Sequence, residues 1–291
     1  ARAEEYYDST AADAFYKNVW GGEDIHIGLY NSAREDIAVS SRRTVETMAR
    51  QLSGLSSASR VIDLGAGYGG AARYLADKHG CRVECLNLSR TQNQLNQQKN
   101  LETGNASLIE VMHGSFEDIP RSSDYYDYVW SQDAIVHSAN RELVVKEVVR
   151  VLNNTGEFIF TDLMQTKDCP KSILKPVLDR IQLDSLGSFG FYVEQGRKLS
   201  VKKTKVQDLS EHLTIHYQRV MEETQDRYIE MVEVCGKEYI DKMSGEFKKR
   251  AQMFEVQLNM ITSAKPTFRR DLSDLNQYQE NLKDWIRTIS H

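Results

Sequence analysis

The stretch VIDLGAGYGG, residues 61–70, limits the possible folds of this chain more than any other. An apolar run carries one aspartate, Asp63, and glycines then recur at 65, 67, 69 and 70. A run of this kind closed by glycine reads as a short strand, a tight turn and a helix start, with a backbone free to come very close to something else. The segments behind it keep the same alternation. GGAARYLADKHG is a helix closed by Gly80, and CRVECLNLS is a second strand. RTQNQLNQQKNLETG is a polar helix ending at Gly104, and LIEVMHGS is a third strand with the loop FEDIP behind it. YYDYVWSQDA is a fourth strand and its exit, ANRELVVKEVVRVLNNTG a helix with a glycine stop, and EFIFTDLM a fifth strand. Strands alternating with helices at this spacing predict an α/β chain with a Rossmann-like, doubly wound, mainly parallel sheet.

The flanks read differently. Residues 1–35 are rich in aromatics and glycine, with no clean helix or strand period, and form a candidate N-terminal lid. The core is expected over 36–165, opening with helical spacing at Ile37, Val45, Met48, Ala49 and Leu52. Residues 166–196 read as an inserted helical cap. Residues 197–291 hold a late edge strand in KLSVKKTKVQDL and, from about 217 to 263, one or two long helical stretches.

Composition narrows the partners. A formal charge of −5 argues against a nucleic-acid partner, which needs a basic face. KKTK at 202–205 and KKR at 248–250 are short solvated faces. No apolar run reaches 18 residues, so no membrane span is expected. No signal peptide is visible, so the expected location is the cytoplasm; the chain opens on Ala1, which leaves a trimmed address open. The four cysteines make no metal pattern. Cys81 and Cys85 share one face of a strand and read as buried thiols.

Three ligands compete for the glycine loop, which lies where such sheets bind them, at the carboxyl ends of the strands. A phosphate-cradling loop needs Lys-Ser/Thr after its last glycine, and Ala71-Ala72 stand there instead. Gly65, Gly67 and Gly70 match the dinucleotide pattern, but that reading wants an acid at the end of the second strand, where this chain has Asn87. S-adenosylmethionine has no pyrophosphate, and Gly65, Ala66 and Gly67 would let the backbone lie against its methionine and ribose portion. Asp63 could orient the loop or reach the ammonium through water. The plain alternative is a tight turn with no ligand.

VIDLGAGYGG resembles the first motif of the Rossmann-like S-adenosylmethionine-dependent methyltransferases. LNLSRTQ resembles their second-strand loop, which implies ribose contacts from Asn87, Leu88 and Gln92. HGSFEDIP resembles the adenine loop, with Gly114, Ser115 and Phe116 about the base. YDYVWSQDAIVHS resembles the fourth-strand motif, with Ser131 near the methionine part and His137 facing the transfer site. YYDSTAADAFYKNVWGGEDIHIGLY at 6–30 and ILKPVLDRIQLDSLGSFGFY at 173–192 are similar to the N-terminal segment and cap of the sarcosine/dimethylglycine N-methyltransferases of betaine synthesis. The resemblance implies a final antiparallel strand of the type W-G-(apolar run)-R-K. LKDWIRTISH at the end of this sequence lacks it, so either the chain is cut short or its sheet closes differently.

Methyl transfer from a sulfonium needs alignment and exclusion of water more than anion stabilisation. Tyr7 and Trp20 are the candidates for closing over the methionine end. A zwitterionic amino acid needs a guanidinium for its carboxylate; Arg180 is the first choice, with Arg42 or Arg43 in reserve. Tyr30, Tyr192 and Tyr217 are candidates for aromatic faces around the methylated nitrogen. His137 is the candidate base, while His26 and His216 read more readily as structural. The expected partner is a small amine, the expected by-product S-adenosylhomocysteine, and no metal is expected. The expected state is monomer or homodimer. Rival readings are the same core acting on another small amine, a lipid or a sterol, and a cofactor-binding protein without catalysis.

Overall fold

The computed structural model describes residues 10–20, 22–166, 169–170, 172, 174–175, 178, 183, 185–199, 201–250 and 256–264. Its strands are β1 (Arg60–Leu64), β2 (Arg82–Asn87), β3 (Ile109–His113), β4 (Tyr126–Gln132), β5 (Leu152–Gln165), β6 (Gly187–Ser188), β7 (Lys202–Asp208) and β8 (Val256–Ala264). They form one sheet in the order β3-β2-β1-β4-β5-β8-β7, with the short β6 beside β5. Neighbours from β3 to β5 run parallel, and β8 runs antiparallel to both β5 and β7. The expected doubly wound sheet is present, with β1 and β4 at its centre, where the strand order reverses direction.

The helices are α1 (Thr10–Val19), α2 (Ile37–Gln51), α3 (Gly70–His79), α4 (Arg90–Glu102), α5 (Arg141–Val151), α6 (Phe189–Lys198), α7 (Ser210–Asp226), α8 (Tyr228–Cys235) and α9 (Lys237–Arg250), with one 3₁₀ turn at Ile135–His137. Their starts follow local chemistry. Asp36, Ser89 and Asn140 each accept a backbone N–H three residues on, capping α2, α4 and α5. Gly80 ends α3 in the left-handed region, at φ 71°. None of the helices described is long and apolar enough to cross a membrane.

β1 is buried on both faces, which is why it reads as an unbroken apolar run around one acid. Alternate residues feed two cores. Val61, Val83, Trp130 and Ile159 join α1, α2 and α7 on one side, while Ile62, Leu64, Val129 and Phe160 join α5 and α6 on the other. Cys81 and Cys85 are buried free thiols, and burial raises the pKa of both.

Three expectations need correction. Residues 256–264 are a strand, not the end of a helical stretch. β8 pairs with β5 from Glu157↔Ala264 to Gln165↔Val256, and its buried Met260 and Ile261 enter opposite cores. The sheet therefore closes through an antiparallel strand whose sequence carries none of the W-G and R-K marks. Residues 10–19 form a regular helix although their aromatics hide the period; Ala12, Phe15, Tyr16 and Val19 all face the core. β5 begins at Leu152, so the predicted helix stop at Asn153–Gly156 is already strand. A register shift between Tyr126 and Tyr128 absorbs the extra residues, and Gly156 lets the Asp127 carbonyl approach. KLSVKKTKVQDL does supply the edge strand, β7.

Candidate active site

The site begins at the carboxyl end of β1. Gly65, Gly67 and Gly69 all hold positive φ, at 75°, 54° and 77°. A side chain at Gly65 would also strike Ala134, and one at Gly69 would strike Asn96. The Gly65 N–H donates to the Leu86 carbonyl at 2.8 Å, which turns the loop across the end of β2. The Ser131 hydroxyl donates to the Leu64 carbonyl at 2.9 Å and ties β4 to the same end of β1. Asp63 is buried, and desolvation together with Asp24 pushes its carboxyl up to about 7.

The predicted ribose and base residues gather around this loop. The Asn87 amide donates to Gln92 Oε1 at 3.0 Å at the mouth of β2, with Leu88 next in the chain. Gly114 follows β3, and a Cβ there would press on Leu86. Ser115 accepts the Glu117 N–H at 3.1 Å, and the Phe116 ring stands 3.8 Å from where a Gly65 Cβ would sit. Gln132, one residue past Ser131, accepts from the Trp130 indole, while its own buried amide nitrogen has no hydrogen-bond partner. A left-handed glycine loop, an amide pair at β2 and an aromatic ring at β3 fit an adenosine ligand.

The segment 22–30 lies across the loop. Ile25 faces Gly67, and Asp24 presses on Gly70 so closely that no side chain fits there. Arg42 pairs with Glu23 and Asp24 at 2.8 and 2.9 Å, and Arg73 pairs with Glu23 at 2.6 Å. Burial raises Asp24 to about 6 against the pull of Arg42. Burial also lowers His26 to about 4 and His216 to about 3, so both rings are neutral near pH 7. His216 Nδ1 accepts from the Gly28 N–H at 3.1 Å and lies 2.9 Å from the Tyr30 hydroxyl. Trp20 and Tyr217 pack edge-on around the same ring, at 4.9 and 6.1 Å between centroids.

The carboxyl ends of β4 and β5 carry a second group of buried polar side chains. Asp133 leaves β4 at φ 49°, and its Oδ2 accepts the Ile27 N–H at 2.8 Å. Asp162, fully buried in β5, accepts the Val136 N–H at 2.9 Å and the Tyr192 hydroxyl at 2.5 Å. Burial lifts Asp162 to about 7 and holds the Tyr192 phenol well above its ordinary value. Arg141 donates to the Val136 and Ser185 carbonyls at 2.8 and 2.6 Å. Burial and this guanidinium lower His137 to about 4.

The structure thus groups Trp20, Tyr30 and Tyr217 around His216, in the core with α1 and α7, and sets Tyr192 apart, against Phe160 on the other face. Arg42 and Arg43 are engaged elsewhere, Arg43 with Glu35 and the Leu29 carbonyl. Tyr7 and Arg180 lie outside the described residues. Sequence reasoning missed Asp24, Asp133, Arg141 and Asp162. One signal was there to read: Asp162 is a lone acid inside the apolar run FIFTDLM.

Residues 62–160 match the family described as "Methyltransferase domain". The sarcosine/dimethylglycine N-methyltransferase of Aphanothece halophytica is 47% identical over 242 residues, 83% of this chain and 87% of that protein. A crystal structure from Galdieria sulphuraria, provisionally named a sarcosine dimethylglycine methyltransferase, has a TM-score of 0.84 at 36% identity over 89% of this chain and 98% of that one. Phosphoethanolamine N-methyltransferase 2 of Haemonchus contortus, solved with S-adenosyl-L-methionine, shares the fold at a TM-score of 0.79 and 16% identity, over 91% of this chain and 60% of that one. Identity of the first order, sustained over most of both chains, makes this chain a member of the sarcosine/dimethylglycine N-methyltransferase family.

Proposed function

We propose that this protein methylates the nitrogen of sarcosine and of dimethylglycine, using S-adenosylmethionine and ending at glycine betaine. The observation that carries the reading is the 47% identity to an enzyme of that name across most of its length. S-adenosylmethionine supplies an electrophilic methyl on a sulfonium. Gly65, Ala66 and Gly67, with Asp63 and Ser131 beneath them, hold its methionine and ribose portion. The Asn87 amide already donates to Gln92, which leaves its oxygen to accept from a ribose hydroxyl, with Leu88 beside it. Gly114, Ser115 and Phe116 enclose the base. Residues 1–35 act as the lid, with Tyr7 and Trp20 at its closing edge, and 166–196 as the cap.

The acceptor enters between lid and cap at the carboxyl end of the sheet, with Tyr30 and Tyr217 on the His216 side of it and Tyr192 on the opposite side, beside Asp162. Its carboxylate pairs with Arg141. Among the described residues this is the arginine with a buried nitrogen, Nε, that has no hydrogen-bond partner; Arg180 of the cap can share the load. His137, kept neutral, forms a wall of the same space. The enzyme works in the cytoplasm as a monomer or homodimer on a dissolved amine, without nucleic acid or membrane.

Purified protein given S-adenosylmethionine and a panel of glycine, sarcosine, dimethylglycine, phosphoethanolamine and a sterol, with products identified by mass spectrometry, tests this. Betaine from dimethylglycine, with sarcosine also consumed, is the expected result. Turnover of phosphoethanolamine or sterol alone overturns the acceptor, and cofactor binding without turnover overturns the activity.

A further inference from the structure

We propose that Asp133 meets the acceptor's nitrogen, its Oδ1 taking first the hydrogen bond and then the proton of the ammonium group. The proposal rests on the N-methylation reading and names a contact within that site. Asp133 stands at the carboxyl end of β4, between β1 and β5, and its backbone N–H donates to the Thr161 carbonyl of β5 at 3.0 Å. Oδ2 is held by the Ile27 N–H, which fixes the carboxylate between the 22–30 segment and the sheet. Oδ1 is shut off from solvent and no described group reaches it in full hydrogen-bond geometry; the Thr161 hydroxyl stands close enough to favour the ionised carboxylate without closing that bond. The residue holds φ 49°, a left-handed conformation that a non-glycine residue adopts at some cost. An unpaired buried acceptor on a strained backbone is costly twice over, and such costs gather where a ligand completes the structure.

The charged neighbours say which ligand. His26, from the lid side, is neutral near pH 7, so it does not cancel the carboxylate. Asp162, from β5, adds a second acidic group, itself offset by Arg141. An anion or an apolar group would leave Oδ1 worse off than water does; an N–H-bearing cation satisfies it. The expected base, His137, is less suited to the proton. Burial and Arg141 both work against a charge on that ring, whereas burial raises the proton affinity of Asp133.

The step balances without a further reagent. The ammonium N–H proton passes to Asp133 Oδ1 and frees the nitrogen lone pair. That pair forms the new N–C bond as the methyl's bond to sulfur breaks, with its electrons staying on sulfur. The proton on Asp133 then leaves to solvent. A quaternary product has no N–H, so it loses the contact that held the substrate and departs.

Two measurements test this, on wild type, D133N and H137Q. The first is calorimetric binding of dimethylglycine and of betaine to the complex with S-adenosylhomocysteine. Wild type should prefer dimethylglycine by tenfold or more, and D133N should lose most of that preference while holding S-adenosylhomocysteine as before. Equal binding of both ligands to wild type overturns the proposal. The second is the pH profile of turnover. D133N should fall by roughly a hundredfold near neutrality and recover about tenfold per pH unit as free amine accumulates, whereas a structural loss would not recover. A D133N profile parallel to wild type, with H137Q showing the recovery, returns the role to His137. Wild type that prefers dimethylglycine yet turns over none of the amines sinks the methylation reading and leaves the Asp133 contact standing.

Discussion

Gly65 and Asp162 carry the two kinds of residue-scale information in this molecule. Gly65 was legible because both its φ and its crowding against Ala134 permit no other side chain. The expected Asn87, Ser115, Phe116 and Ser131 all lie within three residues of a strand end, where the chain has little freedom. Asp162 stood out only as a lone acid in an apolar run; nothing local says that its carboxylate bridges the Val136 amide and the Tyr192 hydroxyl. Its titration gives a prediction. A carboxyl raised from 3.8 to about 7 in the folded state stabilises the fold as the neutral acid. That stability is complete below 3.8 and is lost as the pH climbs through about 7. Asp162→Asn stays neutral throughout, so its thermal stability should gain on wild type across that window, by on the order of 2 kcal/mol at the alkaline end. Melting curves of the two proteins that run parallel with pH would show that Asp162 carries no such burden.

At the level of elements, most of the chain announced itself. Caps at Asp36, Ser89 and Asn140 and the stop at Gly80 fix helix ends by local hydrogen bonding, which needs no partner from elsewhere. β8 is the opposite case. VQLNMITSA follows a long helical stretch, and its strand character comes from the slot between β5 and β7 that receives it. Met260 is 2% exposed there, opposite Thr161 on one side and Gln207 on the other. Met260→Ala should cost about 2–4 kcal/mol in urea unfolding. A loss below 1 kcal/mol would mean that this strand contributes little to the core. The tyrosines proposed to face the acceptor failed to read as one set for a related reason. Tyr30, Tyr192 and Tyr217 belong to elements on two faces of the sheet, and spacing along the chain carries no record of which face an element packs against.

Across the whole molecule, the segment 22–30, proposed above as part of the lid, is held to the core by charge. Burial alone would raise Glu23, but Arg73 and Arg42 outweigh it and keep the carboxylate ionised, with Lys99 3.7 Å away. These groups border a cleft of about 390 Å³ that also reaches Tyr74, Asp77, Lys78 and Thr103. Because Asp24 and Ile25 sit on the glycine loop, releasing Glu23 should loosen the cofactor's enclosure. Glu23→Gln should raise the dissociation constant for S-adenosylhomocysteine roughly fivefold, the equivalent of about 1 kcal/mol. Added sodium chloride should weaken binding less in the variant than in wild type; identical salt responses would sever the link between this ion pair and the lid. The α/β class, the order of β1 to β5 and the loop that takes the cofactor are written in local patterns: apolar runs, glycines and caps act over a few residues, so one chain segment contains the whole cause. The closure by β8, the orphaned oxygen of Asp133 and the meeting of Glu23 with Arg42 and Arg73 join residues far apart in the chain. Contacts of that kind depend on how every intervening element packs, and they come into being only when the chain has folded.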